Sequence, residues 1–228
     1  MNKKLLVILL STLLISPAFV AKAEPQATVA VLDTALDTSL PQFKDKIIYE
    51  ACVLEWNSCA NGKNFMEGPG SASMPLSQMQ NNGFSHGTQM VDALLKTNPN
   101  AKIVFVRIIG ATSNGTRQIA NEKTFVNALD WVFNNKDKFN IQAVSMSQGH
   151  HNLALTSDYC PKTISTQSRI KNLVNAGIPV FLPAGNTRDY ARIDWPACIN
   201  ESISVGASTD YEEIPIWSNV DINKTDYK

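Results

Sequence analysis

The sequence predicts an α/β fold in three layers, α/β/α, with a central, mostly parallel sheet and helices on both of its faces. Two observations predict it. Short runs dense in Val, Ile and Leu alternate with stretches of helical periodicity along nearly the whole chain after Glu24. Residues able to do chemistry then fall just past the ends of the apolar runs: Asp33, the loop after Ser147, and Pro183-Ala184-Gly185-Asn186. In parallel sheets the working residues collect at the carboxyl ends of the strands.

Thr28 to Leu32 is a buried-strand signature that ends at Asp33, and Lys46 to Tyr49 is a weaker second strand. Residues 57–84, rich in Asn, Gly, Ser, Pro and Met, read as one long irregular excursion, a length of loop that is usually functional or mobile. A helix starts near His86 and runs to about Lys96, with Met90, Ala93 and Leu94 as its buried stripe, and Asn98-Pro99-Asn100 stops it. Ile103 to Ile109 is a strong strand. A helix over about 120–135 puts Phe125, Leu129, Val132 and Phe133 on one face. Ala143 to Ser147 is a strand ending at Gln148-Gly149. Ile164, Ile170, Leu173 and Val174 mark a further helix with Gly177 as its stop. Ile178 to Leu182 and Ile203 to Gly206 are the remaining strands.

The 228 residues are 44% apolar and 18% charged, the composition of one folded domain with a sizeable core. Residues 1–23 read as a secretory signal: Lys3 and Lys4, an apolar run from Leu5 to Ile15, and a small-x-small site at Ala21-Lys22-Ala23. Residues 24–228 are then the exported domain, periplasmic or extracellular, with no membrane segment once the signal is cleaved. Losing Lys3, Lys4 and Lys22 leaves 17 basic against 20 acidic residues, with no basic cluster to suggest a nucleic-acid partner. Cys52, Cys59, Cys160 and Cys198 are an even set behind an export signal, which implies disulfides with three connectivities open. Closeness in sequence favours Cys52–Cys59 with Cys160–Cys198. Zinc is the weaker reading, because C-x6-C is wider than the usual knuckle.

Singly, Asp33 reads as a turn residue, His86 as a partly buried polar group and Asn186 as a left-handed turn residue. Together and in order they carry more. Val29-Ala30-Val31-Leu32-Asp33-Thr34-Ala35, Ser85-His86-Gly87-Thr88, Ser145-Met146-Ser147-Gln148-Gly149 and Pro183-Ala184-Gly185-Asn186 resemble the successive motifs of the subtilisin-like serine proteases. Trp195-Pro196-Ala197-Cys198 and Ile203 to Ala207 resemble the stretch that follows. The resemblance spans residues 28 to about 220. It implies a serine endopeptidase acting on peptide or protein substrates, with Asp33 orienting, His86 as general base and the Asn186 amide facing the oxyanion. A serine hydroxyl is a poor nucleophile until a base takes its proton, and an imidazole can do that near neutral pH. A carboxylate on the other ring nitrogen fixes the tautomer. Ser145, Ser147, Gln148 and Gly149 would line the cleft and pair with an extended substrate backbone. His150 and His151 read as solvated loop residues beside it.

The chain also departs from the family pattern. The nucleophile belongs in a Gly-Thr-Ser motif opening a central helix, and no Gly-Thr-Ser occurs in the 228 residues. The chain therefore reads as a domain incomplete at its C-terminus, a fragment or a prematurely stopped product that lacks a C-terminal segment. The rivals are a pseudoprotease binding peptides in the same cleft and a site completed by a second polypeptide. Ala35 stands where the family has glycine, and Gln89 where a second histidine is common. No cofactor is implied. The family often binds structural calcium, but no dense carboxylate loop is evident, and no metal ligand is assigned.

Overall fold

Strand β1 (Thr28–Asp33) occupies the middle of an eight-stranded sheet in this computed structural model, which describes residues 26–81, 83–118, 120–150, 160, 163–211, 213–220 and 225–226. The export signal predicted over residues 1–23 and the side chain of His151 lie outside the described residues. The other strands are β2 (Ile47–Val53), β3 (Phe65–Glu67), β4 (Lys102–Arg107), β5 (Ile141–Met146), β6 (Val180–Pro183), β7 (Ile203–Val205) and β8 (Thr225–Asp226). Their order across the sheet is β3-β2-β4-β1-β5-β6-β7-β8. Every pairing is parallel except β2 with β3, which is antiparallel.

Strand alternation divides the core in two. Ala30 and Leu32 face the layer formed by α3 (Glu122–Phe139) and α4 (Ile164–Asn175), where Phe125, Ala128, Leu129, Ile170 and Leu173 are buried. Val31 points the other way, into a second cluster with Ile103, Phe105 and the Val91 and Leu95 of α2 (His86–Thr97). Burying each of these larger side chains contributes about 1.5–3 kcal/mol. Asn121 caps α3 by accepting from the Thr124 amide at 3.0 Å, and Asn140 ends it in the left-handed region. Gly177, at φ +81°, stops α4, and the Ile178 amide bonds back to the Leu173 carbonyl at 2.9 Å. Both disulfides form in the favoured pairing, Cys52–Cys59 and Cys160–Cys198.

Four expectations need correction. The second strand does not stop at Tyr49 but runs on to Val53. Glu50 interrupts its apolar pattern yet is buried, because its carboxylate accepts from the Gly70 and Ala72 amides at 3.1 and 3.2 Å. Those same bonds organise the segment read as a loop over 57–84. It contains β3 and a short helix α1 (Leu76–Asn81), and its backbone is pinned to the segment just past β1 where the Leu36 amide donates to the Ala72 carbonyl. On α2 the buried residues are Gly87, Val91 and Leu95, while Ala93 is exposed and Met90 and Leu94 pack only partly. Finally, the strongest flanking residues of α4, Ile164 and Val174, are exposed, so its buried face rests on Ile170 and Leu173.

Candidate active site

Asp33 ends β1 and is fully buried. Its Oδ1 accepts from the Thr34 amide at 2.6 Å and lies 2.8 Å from Nδ1 of His86. His86 is the first residue of α2 and about one-third exposed, so its ring bridges a buried carboxylate and open solvent. Among the described residues, Oδ2 of Asp33 is buried without a hydrogen-bond partner.

The sequence around His86 makes this approach feasible. A Cβ on Gly87 would lie 2.6 Å from the Phe105 ring and 2.7 Å from the Ala35 carbonyl oxygen, so only glycine lets the start of α2 sit against the end of β1. The Gly87 amide donates to Thr34 Oγ1 at 2.9 Å, and that hydroxyl donates to the Phe84 carbonyl at 2.7 Å. Thr88 Oγ1 accepts from the Asp37 amide at 3.0 Å. Each residue of Gly87-Thr88 thus ties the strand exit to the helix start, which fixes the α2 face one position away from the predicted stripe. Ala35 is accommodated: it is buried, with φ outside the left-handed region. Gln89 points into solvent.

Facing His86 across a cleft of roughly 450 Å³ are Ser147, Gln148, Gly149, Gly185, Asn186 and Asp194. The loop carrying Asn186 follows β6 and is held tightly. Gly185 is at φ +110°, and any Cβ there would strike the Asp194 carboxylate and the Asn219 side-chain amide. Asn219 is fully buried; its Oδ1 accepts from the Thr187 amide (2.9 Å), the Thr187 hydroxyl (3.0 Å) and the Asp189 amide (3.1 Å). Its Nδ2 donates to Asp194 at 3.0 Å. Asn186 itself stays exposed at the cleft edge.

The structure brings Asp33, His86, Asn186, Ser147, Gln148 and Gly149 to one site, but Ser145 lies within β5, in register with Val31 and Phe181. Its backbone is committed to the sheet and cannot pair with a peptide. Gln148 does more than line a wall: its Nε2 donates to Asp33 Oδ1 at 3.1 Å, while Arg117 reaches its Oε1 at 3.4 Å. His150 is only partly exposed rather than a free loop residue: Nε2 meets the Ala120 carbonyl at 2.6 Å and its ring lies beside Trp195. Sequence reasoning missed Asp194 and Asn219, the pair that clamps the Asn186 loop. A lone Asp and a lone Asn far apart in the chain carry no pattern that would mark them. Among the described residues no group of three or more His, Cys, Asp or Glu is placed to hold a metal ion, and no helix is long and apolar enough to cross a membrane.

A buried aspartate bonded to a one-third-exposed histidine, at the carboxyl edge of a parallel sheet and above an open cleft, is an arrangement suited to moving a proton. Residues 25–226 match the Subtilase family, and the chain belongs to it. It is similar to the major intracellular serine protease of Bacillus subtilis (strain 168), with 28% identity over 205 residues, covering 84% of this chain and 54% of that protein. Among solved structures, the epidermin leader peptide processing serine protease of Staphylococcus aureus has a TM-score of 0.66 at 17% identity, with 88% of this chain and 50% of that chain covered. A lanthipeptide protease has a TM-score of 0.62 at 18% identity, with 85% and 52% covered. These structural likenesses show the fold. The chain spans about half the length of these three relatives.

Proposed function

We propose that residues 24–228 form the proton-handling part of an exported subtilisin-like serine endopeptidase domain. Asp33 orients His86 and stabilises its imidazolium, His86 serves as general base through Nε2, and Asn186 offers its amide to an oxyanion. Ser147 to Gly149 hold an extended peptide or protein substrate. Export rests on the signal-like residues 1–23. The 228 residues hold no Gly-Thr-Ser, and on that ground these residues alone bind peptides without cleaving them. The same facts favour a second reading, a peptide-binding pseudoprotease that uses this cleft.

The observation that carries the proposal is the 2.8 Å contact between His86 Nδ1 and Asp33. A carboxylate there requires the neutral ring to keep its proton on Nδ1, leaving Nε2 free to accept one. Long-range ¹H–¹⁵N correlation spectra of the His86 ring should show that tautomer in the parent chain and lose its dominance in Asp33→Asn. A ring protonated on Nε2 in the parent would refute the assignment of His86 as base.

A further inference from the structure

Arg107, the last residue of β4, is 1% exposed and lines a second pocket of roughly 710 Å³ that shares no lining residue with the cleft of His86. Among the described residues it is the one charged side chain in that lining. Nε donates to the Ile109 carbonyl at 3.0 Å and the guanidinium carbon lies 6.0 Å from the Phe84 ring centre, but among the described residues the two terminal nitrogens bond only the Ser73 carbonyl and Ser58 Oγ, each at 3.5 Å. That is well beyond the usual N–H···O separation of about 2.9–3.0 Å. Ser58 Oγ is already engaged by the Ala111 amide at 2.8 Å. Among the described residues no carboxylate lies within ion-pair distance of the guanidinium. Glu50, buried on the neighbouring strand, is occupied by the Gly70 and Ala72 amides.

Buried charges in folded proteins are paired, because an isolated ion is costly to remove from water. Burial pushes Arg107 down to about 10, which still leaves it a cation at neutral pH. The pocket therefore presents two under-used, forked donors beside the hydroxyls of Ser58, Thr112 and Ser113, with no acid among the described residues of its walls. A guanidinium fork matches a carboxylate in two parallel bonds. We infer that this pocket is a carboxylate receptor in which Arg107 binds the anion through both terminal nitrogens. The carboxylate comes either from an acidic side chain of a polypeptide or from a small free acid.

Titration calorimetry of the full chain with glutarate, and with a capped Ala-Ala-Glu-Ala-Ala peptide against its Gln counterpart, tests this. The account expects binding of glutarate or of the Glu peptide, no binding of the Gln peptide, and at least about tenfold weaker binding in Arg107→Met. A tighter Glu peptide identifies a polypeptide as the source, and a tighter glutarate identifies a free acid. Arg107→Met should also unfold at the same or a higher temperature than the ligand-free parent, because an unpaired buried charge has been removed. Ala60→Trp, at an exposed position on the pocket wall, leaves Arg107 in place and should block binding by filling the space, so the test survives if Arg107→Met does not fold. Absence of binding by either carboxylate overturns the inference, as does binding that survives Ala60→Trp or a folded Arg107→Met unchanged.

Discussion

Gly87 decides whether His86 and Asp33 can meet. The missing side chain is what lets α2 begin in contact with Phe105 and the Ala35 carbonyl. Gly87→Ala should therefore destabilise the chain by about 1–3 kcal/mol in urea unfolding, the usual cost of overpacking, and should lengthen the contact between His86 and Asp33. An unchanged midpoint would mean that the helix start has slack. Asp33, His86 and Asn186 were legible in the sequence because each falls at a strand end or helix start within a recognisable local motif. The role of Gln148 was not. Its amide reaches a carboxylate 115 residues earlier in the chain, and only the parallel pairing of β1 with β5 brings the two together. The contacts of the partly buried His150 were hidden for the same reason, since its partners are Ala120 and Trp195.

The loop from Pro183 to Asp189 acts as one element, and Asn219 is its fastener. Four hydrogen bonds converge on that side chain, one of them joining it to the buried Asp194. Replacing a buried group of this kind strands the groups it served, at roughly 1–3 kcal/mol each. Asn219→Ala should lower stability by about 2–4 kcal/mol and weaken peptide binding at the Asn186 edge, as read by thermal unfolding and by peptide titration. Retained stability would show that the loop holds its shape through Gly185 and the β6–β7 pairing alone. Element existence was largely legible, because apolar runs and helical periods are local properties. Element limits were less so. Glu50 hid the second half of β2 until its amide partners from the 57–84 segment were in place. On α2 the expected stripe of Met90, Ala93 and Leu94 lies one position off the buried face of Gly87, Val91 and Leu95, because the closest helix–strand contact belongs to a glycine.

At the scale of the molecule, one parallel sheet with a core on each face delivers the ends of β1, β5 and β6 to a single cleft. Asp33, the Ser147–Gly149 segment and the Asn186 loop each follow one of these strands, and α2 adds His86 from the side. The parallel topology was legible from the alternation of strand and helix patterns, and the two disulfides from the cysteine count. The Arg107 pocket was not, because an arginine at a strand end gives no sign that it will be buried without a counter-ion. On the proposed function, this assembly holds the base and its orienting carboxylate but supplies no nucleophile within its 228 residues, which contain no Gly-Thr-Ser. The most direct test is to expose the chain, shown by the ring spectra above to be folded around His86, to a serine-directed organophosphorus probe and to read covalent labelling by intact mass. No adduct should form. An adduct that disappears in His86→Ala would show that His86 does activate a serine within these residues.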